Sequence, residues 1–218
     1  DNEVTFENAW GICDEDIYNQ SLKMADLKSK KRQPFFQFIM TTSNHKPYTF
    51  PEKKISLKQG SREAAIKYTD FALGKFMENV KTKPWFGNTI FIIVADHCAN
   101  SAGKWEINIE KHHIPAVIFN SKYKNIEVKK LVSQIDLMPT LFSMLDWNFK
   151  NANFGKNIFK MEKVEERALI GNYRTLGLLK NNIFTQIDDR KKIKQFIYNP
   201  ENKIISKELK QRNELLEK

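Results

Sequence analysis

Ile90 to Ala95 is an uninterrupted apolar run that stops at an adjacent carboxylate and imidazole, Asp96 and His97. A run this short and this apolar predicts a strand buried on both faces of a parallel sheet. In open α/β sheets, ligands gather beyond the carboxyl ends of the strands, where this pair lies. A carboxylate oxygen beside a neutral imidazole nitrogen suits a divalent metal such as zinc or manganese. The plainer alternative is that Asp96 caps a loop and His97 packs beneath it. The strand before the pair and the small-residue loop after it favour the metal.

The chain's 218 residues suffice for one ordinary domain with a sizeable core. A hydrophobic fraction of 41% and an aromatic fraction of 12% fit a globular protein. The formal charge of +10 would attract phosphorylated substrates or anionic membranes, although Lys is spread along the whole chain. No Arg-rich stripe is interleaved with stacking aromatics, which argues against nucleic acid as a partner. Cys13 and Cys98 are far apart with no paired spacing, which excludes a disulfide scaffold and a zinc ribbon. No stretch approaches the roughly 18 apolar residues of a membrane span. The opening Asp1-Asn2-Glu3-Val4-Thr5-Phe6 lacks the features of a natural amino terminus, so the chain is expected to begin inside a longer protein.

Along the chain, Trp10 to Leu27 predicts a loop and then a short helix. Pro34 to Met40 reads as a buried strand opening into Thr41-Thr42-Ser43-Asn44-His45. Ser61 is the expected N-cap of an amphipathic helix over 62–80, with Ala65, Tyr68, Ala72, Phe76 and Val80 at helical spacing. Pro115 to Phe119 predicts another short buried strand, and Val128 to Val132 a short helix. Asp136 is expected to cap a second helix from Leu137 to Leu145, with Pro139 tolerated in its first turn. From Ala168 the pattern becomes short β-like runs at Leu169-Ile170, Thr175 to Leu179, Ile183 to Ile187 and Phe196 to Tyr198. Asn181-Asn182 is a turn signal between two of them. Lys203 to Lys218 reads as a charged amphipathic helix. The expected division is an α/β part over 1–165 and a small β-rich subdomain with a final helix over 166–218.

Three further groups carry polar chemistry. His45 follows a buried strand in a cluster of hydroxyl, amide and imidazole groups able to bind phosphate or sulfate oxygens. A polar turn with a surface His explains the same residues equally well. Lys104 follows Ser101-Ala102-Gly103, where small residues let a backbone approach a ligand, and could neutralise an anion. His112 and His113 precede the strand at Pro115.

The strings Trp10-Gly11-Ile12-Cys13-Asp14-Glu15-Asp16, Ser43-Asn44-His45-Lys46-Pro47-Tyr48 and Tyr68-Thr69-Asp70-Phe71-Ala72-Leu73-Gly74 occur in that order. Ala95-Asp96-His97-Cys98, His113-Ile114-Pro115 and Ile135-Asp136-Leu137-Met138-Pro139-Thr140-Leu141 follow. Together they resemble the carboxyl-terminal portion of the catalytic domain in the lipoteichoic acid synthase-like sulfatases. That family comprises phosphoglycerol transferases and relatives within the alkaline phosphatase superfamily. The resemblance covers most of residues 5–200. It implies an α/β fold, part of an alkaline-phosphatase-like sandwich with a mainly parallel sheet, plus a small carboxyl-terminal antiparallel sheet and terminal helix.

The resemblance also implies a bacterial, extracytoplasmic, membrane-anchored enzyme acting on anionic phospholipid or envelope glycan. A divalent metal is implied, manganese first, with zinc or magnesium as alternatives. By the resemblance, Asp96 and His97 match paired metal ligands and His45 a phosphate-binding His. His113 matches a position near the site, as a metal or anion contact, and Lys104 is grouped with the substrate-binding residues. The family's nucleophile and an acidic metal ligand precede the segment matching Trp10, and Thr5 lies in the wrong context to replace the nucleophile. The chain alone is therefore expected to be inactive, and its exposed apolar sheet edge to promote self-association. Two alternatives remain: a sulfatase acting on sulfate esters, and a non-catalytic module binding anionic glycans or lipid head groups.

Overall fold

A computed structural model of the protein describes residues 3–99, 107–120, 126–150 and 152–209. The chain divides into two compact units, Asp1–Thr89 and Ile90–Lys218.

The first unit is built on two helices and a small hairpin. Strand β1 (Glu7–Asn8) pairs antiparallel with β2 (Gly11–Ile12), and Gly11 adopts a φ of +127° that favours glycine. Helix α1 (Asp14–Lys30) carries Asp14, Glu15 and Asp16 in its first turn and Lys28 and Lys30 in its last, complementing the helix dipole. Helix α2 (Arg62–Lys81) starts where expected, with the Ser61 hydroxyl accepting the Ala64 N–H at 3.1 Å. Its buried face of Ala65, Tyr68, Ala72, Phe76 and Val80 is the predicted one. Phe76 stacks on Tyr18 of α1 at 4.7 Å and Tyr68 on Phe50 at 4.7 Å, so aromatic pairs form the centre of this core.

The expected buried strand over 34–40 differs. It has no regular secondary structure and joins no ladder among the described residues. Phe35 packs nearly perpendicular to Trp85, and Gln37 donates to the Ser21 carbonyl. The alternate side chains Phe36, Phe38 and Met40 stand exposed. The period-2 pattern is therefore present, but only one face is covered.

In the second unit, β3 (Phe91–Val94) pairs antiparallel with β4 (Ala116–Phe119), Phe91 opposite Phe119 and Val94 opposite Ala116. Both predicted strands form. However, β3 is half-buried, β4 leaves Ala116 and Val117 exposed where a buried strand was expected, and every ladder among the described residues is antiparallel, so no parallel pairing surrounds β3 there. Val128 to Val132 is irregular instead of helical, with a bend at Lys130, and its backbone bonds elsewhere. The Leu131 N–H donates to Glu166 and the Leu131 carbonyl accepts from Arg167.

Helix α3 (Leu137–Met144) follows a 3-10 turn at Gln134–Asp136. The Asp136 side chain does not cap it. Its carboxylate turns inward to Arg167 and accepts the Ser133 and Lys156 N–H groups as well. Gly155 makes that turn possible, since a Cβ there would lie 2.1 Å from the Ile135 carbonyl oxygen.

The β-like runs become a five-stranded antiparallel meander: β5 (Ala168–Gly171), β6 (Thr175–Lys180), β7 (Ile183–Asp188), β8 (Ile193–Asn199) and β9 (Ile204–Ile205), in that spatial order. Asn181 and Asn182 join β6 to β7 with φ of 49° and 60°, the left-handed pair that a two-residue hairpin demands. Leu179, Phe184 and Tyr198 pack with Ile107 and Ile109 as the core. Ile204-Ile205 pairs with Tyr198-Asn199, so the predicted helix does not begin at Lys203. Residues 210–218 lie outside the described residues.

Candidate functional site

The end of β3 presents Asp96 and His97 to solvent, with side chains 73% and 55% exposed. The segment is anchored by the Ala95 N–H donating to the Pro115 carbonyl and by Gln134 Nε2 donating to the Ala95 carbonyl. Asp96 Oδ1 accepts the His97 backbone N–H at 2.8 Å. His97 Nδ1 lies 3.0 Å from the Cys98 carbonyl, which can only accept, so Nδ1 carries the proton. In the neutral ring this leaves the Nε2 lone pair available, 3.4 Å from Asp96 Oδ2. An oxygen and a nitrogen donor thus stand side by side at a strand end, and the second donor has its tautomer set by the backbone.

That donor set fits a divalent cation as a two-ligand contribution. Among the described residues no group of three or more His, Cys, Asp or Glu converges to hold a metal.

His113 lies next to this pair through the backbone. Cys98 Sγ donates to the His113 carbonyl at 3.2 Å. The structure thus ties Asp96, His97 and His113 to one cleft of about 1780 Å³, whose wall also holds Glu110, His112 and Lys203. His112 is held apart, its Nδ1 donating to the Asn108 carbonyl at 2.8 Å. Glu110 accepts the Tyr198 hydroxyl and pairs with Lys203 at 3.2 Å. The Tyr198 bond, with Lys203 beside it, holds the Glu110 carboxyl below the usual range. Burial, then the Glu110 bond and charge, push the Tyr198 hydroxyl up to about 12. Lys104 lies outside the described residues.

His45 belongs to the first unit. Two of the hydroxyls near it take part in holding the loop. Thr42 Oγ1 donates to the Ile12 carbonyl at 2.8 Å, and buried Ser43 Oγ accepts the Asp14 N–H at 3.2 Å. The fully buried Asp14 Oδ1 accepts the Thr42 and Ser43 N–H groups, each at 3.0 Å. This clamp fixes the loop on the start of α1. The His45 ring stacks on Trp10, centroids 4.0 Å apart and planes 19° from parallel. Trp10, which stacks on His45, and Asp14, which holds the loop before it, are the residues that sequence reasoning missed. Their only local signal was their place in one ordered string.

A family model described as Sulfatase matches residues 1–147. The chain belongs to the sulfatase family. It is similar to phosphoglycerol transferase I of Escherichia fergusonii, 26% identical over 111 residues that are 48% of this chain and 14% of that protein. It is also similar to lipoteichoic acid synthase of Staphylococcus aureus, 24% identical over 179 residues, 69% of this chain and 28% of that protein. Among solved structures, a protein of the alkaline phosphatase superfamily from Vibrio parahaemolyticus superposes with a TM-score of 0.89 at 30% identity. That match covers 97% of this sulfatase-family chain and 53% of the other. Lipoteichoic acid synthase LtaP from Listeria monocytogenes gives a TM-score of 0.73 at 18% identity, covering 94% and 56%.

The alkaline-phosphatase-superfamily fold expected from sequence therefore holds. The chain spans about half the length of these two structures and a smaller share of the curated relatives. No helix among the described residues is long and apolar enough to cross a membrane.

Proposed function

We propose that the whole protein is a metal-dependent phosphoglycerol transferase, or a related phospho-group transferase or hydrolase. Its substrates are anionic lipids or glycans of the bacterial cell envelope, reached from an extracytoplasmic, membrane-anchored position. The observation that carries this reading is the Asp96–His97 donor pair, with Nδ1 bound to backbone and Nε2 facing Oδ2, in a sulfatase-family chain. The relatives named phosphoglycerol transferase I and lipoteichoic acid synthase support the phosphoglycerol class.

Asp96 and His97 would hold a divalent cation, manganese first and zinc or magnesium otherwise. Such a cation, when bound, supplies Lewis-acid stabilisation of charge on a reacting oxygen. The Cys98 carbonyl keeps the His97 tautomer fit for ligation. His45 would hold the substrate's anionic group by a charge-assisted hydrogen bond. Lys104 and His113 would add positive charge or a further contact to that group.

The test is metal content and turnover of the full-length protein beside Asp96→Ala with His97→Ala. The expected result is loss of stoichiometric manganese and of phosphodiester turnover. Unchanged metal stoichiometry and affinity in the double variant would rule out this site. The family also supports a second reading, hydrolysis of sulfate esters. Turnover of a chromogenic sulfate ester above that of the phosphodiester would select it.

A further inference from the structure

We propose that Trp10 is a positioning residue for His45, holding the imidazole in one orientation before an anion arrives. The inference rests on the reading in which His45 binds the substrate's anionic group. The indole covers one face of the imidazole at 4.0 Å, while Trp10 Nε1 donates to the Lys46 carbonyl at 2.6 Å. One side chain thus grips two successive residues, the ring of the first and the backbone of the next. A stacked partner covers a ring face and leaves the edge, where both nitrogens lie, to a hydrogen-bonding ligand.

Trp10 is itself held. Its backbone N–H donates to Asn8 Oδ1 at 2.8 Å, and Asn8 Nδ2 donates to Thr49 Oγ1 at 3.1 Å. On the other side of His45, Thr42 Oγ1 donates to the Ile12 carbonyl. The β1–β2 hairpin therefore clasps the His45 loop from both flanks, and Trp10 stands at its tip between them.

Exposure separates this role from core packing. Trp10 is 52% exposed, whereas Trp85 in the same unit is 8% exposed and packs nearly perpendicular to Phe35. A tryptophan kept only for burial would not leave half its surface in water. Orienting the ring beforehand removes part of the ordering cost that an anion would otherwise bear on binding. Immobilising one side chain corresponds to roughly two- to ten-fold in affinity.

The test uses the 218-residue chain, inorganic phosphate as the probe and NMR of the histidine ring protons as the readout. The His45 protons in the wild type should carry an upfield ring-current shift from the stacked indole. Trp10→Leu should abolish that shift and weaken phosphate binding about two- to ten-fold. Trp10→Phe, which keeps a stacking ring but loses the N–H, should stay closer to wild type. His45→Ala separates the two ideas. If His45→Ala weakens phosphate binding and Trp10→Leu does not, the positioning role fails and the anion role stands. If His45→Ala leaves phosphate binding unchanged, the anion role falls and takes the inference with it. Absence of the ring-current shift in the wild type overturns the stacking argument without any variant.

Discussion

Both oxygens of Asp136 bind Arg167 at 2.8 Å, and each also accepts a backbone N–H, from Lys156 or Ser133. Burial opposes ionisation of this carboxyl, but the Arg167 bonds and the two N–H groups outweigh it and hold it below the ordinary range. Asp136→Ala should therefore destabilise the protein by about 3–5 kcal/mol, because it strands a buried guanidinium. Urea denaturation at neutral pH measures this. The folded-state value lies below the unfolded one, so the contribution is fully present above about pH 4 and is lost as pH falls through the lowered value. The gap between wild type and variant should narrow under those acid conditions. At this scale the sequence shows chemistry that is local. Asp96 and His97 are adjacent, and a strand-end position follows from the apolar run before them. The partners of the His45 loop were not legible, since Asp14 contacts Ser43 across 29 residues and Trp10 reaches Lys46 across 36. Nothing in the hydropathy of either stretch encodes such a meeting.

Elements were legible where a turn or a cap fixes them chemically. Ser61 bonds the Ala64 N–H, so Ser61→Ala should cost about 1 kcal/mol, read as a lower urea midpoint with unchanged slope. The β6–β7 hairpin was legible for a similar reason, because Asn181-Asn182 tolerates the positive φ at both turn positions. Elements were misread where tertiary bonding overrode local pattern. Val128 to Val132 has helix-compatible residues, yet its backbone is engaged by Glu166 and Arg167. Lys203 begins an apparently amphipathic run, but Ile204-Ile205 closes the meander beside β8. The Asp136 cap failed for the same reason, since Arg167 competes for the carboxylate and wins with two bonds.

For the molecule as a whole, the alkaline-phosphatase-superfamily fold was legible from six ordered motifs. The composition, by contrast, indicated only a basic globular chain. Phe36 and Phe38 are 75% and 80% exposed on a segment without a ladder partner among the described residues. Such an edge invites pairing between chains. Phe36→Ser with Phe38→Ser should reduce concentration-dependent self-association, measured by sedimentation velocity. Undiminished association would place the contact elsewhere. The two thiols differ in another way. Cys13 is 2% exposed, and burial pushes its thiol up. Cys98 is only partly buried, and neither is in a disulfide. Thiol-directed chemistry at limiting dose should therefore discriminate between them, because the thiolate is the reacting form and needs solvent access. The protein carries its own attachment point for a spectroscopic probe, one residue from His97, with no substitution required. An environment-sensitive dye there would convert cation capture by the neighbouring pair into an optical signal.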